Sequence, residues 1–137
     1  MSKQKKNALL SILALVIGCM LYVWFRPNTY ISRILGRVTN AAPALPLCPP
    51  YINDLCRFYL PDFLWAFSLS CGLIAIHNPG TTGIIICALA AFLLGAVWEL
   101  LQHFGAVSGT ADIHDAIMYL LAGTLCIIFN VKEKKQK

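Results

Sequence analysis

From Ala8 to Phe25 the chain runs 18 residues without a charged side chain. As a helix rising 1.5 Å per residue, such a run nearly matches the ~30 Å of a bilayer's hydrocarbon. Three more predominantly apolar runs follow, at roughly Phe58 to Ile76, Gly83 to Leu101 and Ile113 to Val131. Inside hydrocarbon a backbone must satisfy its own hydrogen bonds, so runs of this length predict helices. The expected fold is therefore all-α: one polytopic membrane domain over residues 1–137, about four transmembrane helices in an antiparallel bundle.

Composition leaves little room for a water-soluble alternative. Of 137 residues, 58% are hydrophobic and 12% charged. A domain this small has too much surface for its volume to bury that load in water. The net charge of +5 sits in two lysine clusters, Lys3, Lys5, Lys6 and Lys132, Lys134, Lys135, Lys137, each against an apolar run. That is the pattern of positive-inside anchors, not of a nucleic-acid-binding stripe. No nucleic-acid partner is expected.

A basic start before an apolar run also describes a signal peptide, but Ala42-Pro43-Ala44 lies too far beyond Phe25 for normal cleavage. The first run is read as an uncleaved helix. Four crossings return the chain to its starting side, which places both termini in the cytoplasm and Arg26, Arg33, Arg37 and Arg57 outside. Trp24, Trp65 and Trp98 then fall together toward the outer leaflet, where amphipathic rings favour the interface. Between the first two runs, Tyr30, Ile31, Ile34, Leu35 and Val38 keep helical spacing, predicting a short interfacial helix. An irregular loop should follow as far as Pro50, and Asn78-Pro79-Gly80 predicts the turn between the second and third spans.

Cys19, Cys71, Cys87 and Cys126 fall within the runs and read as small packers. Cys48 and Cys56 share the outer loop, where a disulfide between them and two separate thiols are equally open. The acids within the runs need a reason, because each costs roughly 2.5–3.5 kcal/mol to insert in hydrocarbon. Asp62 opens the second run, Glu99, Gln102 and His103 end the third, and Asp112, His114 and Asp115 open the fourth. Antiparallel threading brings all seven to one level. Ala88, Ala91, Gly95, Glu99 and Gln102 recur at three- and four-residue steps, as do Asp112, Asp115, Tyr119, Ala122 and Cys126. Set against each other, these stripes would surround an outward-opening acidic pocket. Plainer roles stand beside this one: Asp112 and Asp115 as helix caps, Glu99 and His103 as a polar pair joining helices. Arg33, Arg37 and Arg57 would contact anions or lipid headgroups.

Trp98-Glu99-Leu100-Leu101-Gln102-His103-Phe104, then Gly109-Thr110-Ala111-Asp112-Ile113-His114-Asp115 and Gly123, resembles the core signature of the VanZ-like membrane proteins, a family named for an accessory teicoplanin-resistance protein. The pattern carried over is E-x-x-Q-x-F, then G-x-x-D-x-x-D, then a helical glycine. Tyr59-Leu60-Pro61-Asp62-Phe63 resembles, more weakly, the proline-containing start of the preceding helix. Tyr119 departs from the family, which usually has Asn there. The resemblance implies a protein of the bacterial cytoplasmic membrane with a role in the cell envelope and antibiotic tolerance.

Three functions follow as expectations. The first is a non-enzymatic protein engaging an envelope lipid, a lipid-linked precursor or an amphiphilic glycopeptide through Asp62, Glu99, Gln102, His103, Asp112, Asp115 and Tyr119. The second is a membrane enzyme using these groups for acid–base chemistry or to hold a divalent cation, for which oxygen ligands favour Mg, Ca or Mn. No H-E-x-x-H or G-x-S-x-G motif accompanies that reading. The third is a structural subunit of a larger complex or oligomer. No cofactor is expected under the first.

Overall fold

A computed structural model describes residues 2–25, 49–107 and 111–135, the side chains of 132–135 excepted. The predicted interfacial helix, Arg26, Arg33, Arg37 and Cys48 lie outside the described residues, and with Cys48 so does its pairing with Cys56. Within them the chain is all-helical: α1 Lys3–Phe25, α2 Pro50–His77, α3 Thr81–His103 and α4 Ile113–Lys135. All four are long and apolar enough to cross a membrane. The protein is a multi-pass helical membrane bundle.

Local chemistry explains the boundaries. The second helix begins at Pro50, eight residues before the predicted start at Phe58. Pro50 stands in the first turn, where a missing N–H costs nothing, so the residue expected to end a loop opens a helix instead. Leu55–Tyr59 then widens into a single π-helical turn, and the Leu60 N–H reaches back to the Leu55 carbonyl. Pro61 gives the reason: its ring would strike the carbonyl four residues back and offers that carbonyl no hydrogen. The wider turn relieves the clash without breaking the helix.

At the far end of α2, Asn78 takes the left-handed conformation, φ 43°, and donates its N–H to the Ile74 carbonyl. Its carboxamide makes Asn one of the few residues at ease there. The third helix ends in a Schellman closure around Gly105, φ 69°, with the Ala106 N–H on the Leu101 carbonyl at 2.8 Å. Asp112 caps α4: its Oδ1 accepts the His114 backbone N–H at 2.9 Å.

α2 is the hub, packing against α1 on one side and against α3 and α4 on the other. Helices in lipid gain no hydrophobic energy from association, so close approach and polar bonds must hold them. Ser11 and Ser68 donate to each other's backbone carbonyls, each at 2.8 Å, fastening α1 to α2. Asn7 and Asn130 exchange amide hydrogen bonds of 2.8 and 3.1 Å and are both buried, tying the foot of α1 to the foot of α4. On the α3–α4 face Ala88 lies against Gly123, and Gly95 lies against the ring of Tyr119. Ala88, Gly95 and Tyr119 belong to the stripes expected from spacing; Gly123 lies beside the second stripe, and Cys126, expected in it, faces α2 instead. Cys71 and Cys126 face each other in the core, sulfurs 3.5 Å apart.

Most of α1 is exposed: Ile12, Leu13, Val16, Ile17 and Met20 point away from the bundle. Outward apolar chains recur on every helix, as a lipid-facing surface requires. α1 packs by one face on α2, with Gly18 against Leu64 and Pro61, and its last residue, Phe25, is buried. Between Ala14 and Val23 a space opens beside it, and that space defines the site.

Candidate functional site

The polar residues meet at the end of the bundle away from the termini, and Tyr119 is their pivot. Gly95 on α3 lets the buried Tyr119 ring lie directly on the helix backbone. Its hydroxyl donates to Glu99 Oε1 at 3.1 Å. The other Glu99 oxygen, Oε2, accepts the backbone N–H of Asp112 at 3.0 Å. One carboxylate thus joins the end of α3 to both the start and the second turn of α4.

The chain of contacts continues outward. Asp112 Oδ1 stands 2.6 Å from His114 Nδ1, an ion pair when the imidazole is protonated, with both side chains about half exposed. The His114 ring lies 5.6 Å from that of Tyr59 in the widened turn of α2. Asp62, Glu99 and Asp115, from three different helices, all act electrostatically on the Tyr119 hydroxyl. Gln102 is half-buried one turn beyond Glu99.

His103, grouped with these residues by sequence, is exposed, with its ring edge-on to Phe104 at 5.4 Å. One residue beyond Gln102 is about 100° around a helix, enough to turn it from the cluster's face. The histidine that joins the network is His114, which pairs with Asp112 rather than with Glu99. The Arg57 guanidinium lies over the Phe58 ring, 5.1 Å from its centre. Among the described residues no three His, Cys, Asp or Glu side chains group as a metal site.

The His114 backbone N–H, and after it the His114 ring, hold the Asp112 carboxyl below the usual carboxylate range. With the folded value depressed, the cap's contribution is complete above the ordinary carboxylate value of ~3.9 and is lost as pH falls through the depressed value. Asp112→Asn keeps an acceptor for the His114 N–H but does not titrate. In detergent, the unfolding temperature of the wild type should therefore fall toward that of the variant on acidification from about pH 5 downward. Parallel curves for the two proteins would remove the titrating cap.

Beside this network lies a cavity of about 770 Å³. Ala14, Leu15, Gly18, Cys19, Tyr22 and Val23 of α1 form one wall, and Leu94 and Trp98 of α3 face them. Pro61, Asp62, Trp65 and Leu69 of α2 line it, with Tyr119 of α4. Leu15, Cys19, Leu94 and Trp98 are exposed, so its mouth opens on the lipid-facing side. A smaller groove of about 240 Å³, sharing Leu15, Trp65 and Leu69, continues toward the termini between α1 and α2. Sequence reading treated Trp65 and Trp98 as interfacial anchors and missed them as a lining. Their depth, level with Asp62, was the available signal.

Nothing among family models, curated proteins or solved structures matches the chain.

Proposed function

We propose that this chain is a VanZ-like protein of the bacterial cytoplasmic membrane, both termini inside, that binds an envelope amphiphile by its apolar part in the wedge between α1 and α3. An envelope lipid, a lipid-linked precursor or an amphiphilic glycopeptide each has the required form, and antibiotic tolerance would follow from holding one of them. The observation that carries this reading is the cavity: its mouth is among lipid-facing side chains and its lining reaches Asp62 and Tyr119. An apolar pocket with a few convergent polar groups is the usual form of a small-molecule site.

Both Glu99 oxygens already accept from protein donors, which makes this acid first a joint between α3 and α4, and no complete catalytic motif accompanies it. The VanZ-like assignment rests on the motif residues from Trp98 to Gly123, and the orientation on the lysine ends.

A phospholipid carrying a diazirine along its acyl chain tests the reading in reconstituted membranes. Photolabelling is expected to concentrate on Leu15, Cys19, Val23 and Leu94, and to fall in Leu15→Trp and Leu94→Trp, which fill the mouth. Labelling spread evenly over the exposed faces of all four helices, and indifferent to both substitutions, would remove the site.

A further inference from the structure

Two thiols face each other across the α2–α4 contact, outside the lining of the cavity. Cys71 of α2 and Cys126 of α4 are both fully buried, with sulfurs 3.5 Å apart. A disulfide bond is about 2.05 Å long, so a closing of roughly 1.5 Å would join them. Asn130, one turn further along α4, donates to the Cys126 carbonyl at 2.9 Å and sets the same amide nitrogen 3.7 Å from the Cys126 sulfur. That amide is held in turn by Asn7, through hydrogen bonds of 2.8 and 3.1 Å. Cys126 is thus the sulfur on which donors converge, and a sulfur so placed is the better nucleophile of the two.

We infer that Cys71 and Cys126 are a redox couple, a dithiol that closes to a disulfide on meeting a small uncharged hydroperoxide and so locks α2 to α4. With hydrogen peroxide, the Cys126 sulfur bonds to one oxygen as the O–O bond breaks, and the other oxygen leaves as water with the thiol proton. The Cys71 sulfur then bonds to that of Cys126, breaking its S–O bond, and a second water carries away the Cys71 proton. Together the sulfurs lose two electrons, and the peroxide gains them. Dithiol and disulfide are both uncharged, so the change of state buries no charge in hydrocarbon. Burial also chooses the oxidant: a small neutral peroxide can enter where glutathione disulfide, large and charged, is shut out. The bond restrains the two helices that bring Trp65 and Tyr119 to the cavity wall.

The full chain, reconstituted in membranes, is exposed to hydrogen peroxide or to glutathione disulfide. Remaining thiols are then blocked with N-ethylmaleimide in denaturant, and peptic peptides are mapped by mass spectrometry. The expected result is a Cys71–Cys126 link, two hydrogens lighter than the dithiol, after peroxide and not after glutathione disulfide. Peroxide should also raise the unfolding temperature in detergent by about 5–10 °C, the scale of a cross-link in a chain of this size. Cys71→Ala should show no such rise, and Cys87→Ala, which keeps the pair, should show it in full.

No link under peroxide, or a link that forms only once the bundle is denatured, overturns the couple. So does a temperature rise that persists in Cys71→Ala, or Cys126 carried on to sulfinic acid with Cys71 still a thiol. A link made as readily by glutathione disulfide overturns the choice of oxidant. Should Cys71→Ala fail to fold, the mapped link in the wild type decides alone. Neither readout involves a ligand, so the couple stands or falls apart from the amphiphile reading.

Discussion

Replacing Gly95 by alanine should destabilise the protein although alanine is the better helix former. A Cβ placed on Gly95 would lie 2.4, 2.6 and 2.8 Å from three atoms of the Tyr119 ring. Real carbons do not approach so closely, so ring or helix must move. The ring is poorly placed to move: it is buried, its hydroxyl is bonded to Glu99, and Trp65 stands edge-on to it at 6.5 Å. Overpacking of this kind costs about 1–3 kcal/mol, more than the roughly 1 kcal/mol that alanine gains over glycine within a helix. Thermal unfolding of the detergent-solubilised protein should register the loss, and Gly95→Val should exceed it. Combining Gly95→Ala with Tyr119→Leu removes the obstruction, so the alanine should cost much less in that background. An equal cost with and without the ring would mean that Gly95 matters for another reason.

The second expected result separates two substitutions at Glu99. Glu99→Ala strips the Tyr119 hydroxyl and the Asp112 N–H of their acceptor at once. Hydrogen bonds to a charged group are worth about 1.5–3 kcal/mol each, and the site is only half-buried, so a loss of about 2–3 kcal/mol is expected. Glu99→Gln behaves differently for a geometric reason. Its amide oxygen still accepts from Asp112, and its NH₂ donates to Tyr119, whose hydroxyl turns from donor to acceptor. Both contacts persist without the charge, at a cost of less than about 1 kcal/mol. Comparing the two unfolding temperatures measures this directly. If the amide proves as damaging as alanine, the charge itself holds the joint; if alanine is harmless, Glu99 joins nothing.

These two residues show how the site is divided. Glu99 was one of the acids that spacing set on a stripe, and the structure uses both its oxygens to hold α3 and α4 together. Asp62, at the margin of the acidic group by sequence, is the one that lines the cavity. The Asp112 side chain caps α4 and pairs with His114, as one of its plainer expected roles had it. The acids converge at one end of the bundle, but they do so in unlike jobs.

Sequence by itself determined the solvent and the number of crossings. Apolar runs of bilayer length admit little besides helices, because unpaired backbone groups are too costly in hydrocarbon. It determined which face of α3 meets α4, since Ala88, Ala91 and Gly95 recur at helical steps and only small residues allow two backbones to approach. It also placed the acids on a common level, because level in an antiparallel bundle follows from position along the runs. The start of α2 was misread because Pro49 and Pro50 look like a loop, whereas a proline in a first helical turn loses no bond.

The tertiary structure alone decided how far the helices stand apart and which atoms meet. The Pro61 clash produces the π turn that brings Tyr59 up to His114, and no periodicity encodes that displacement. The cavity exists because α1 is tied to α2 by Ser11 and Ser68 and to α4 by Asn7, while toward Tyr22 it faces α3 across open space. Spacing describes one helix at a time; the gap between two helices depends on contacts more than a hundred residues apart, such as Asn7 with Asn130, that no local pattern contains.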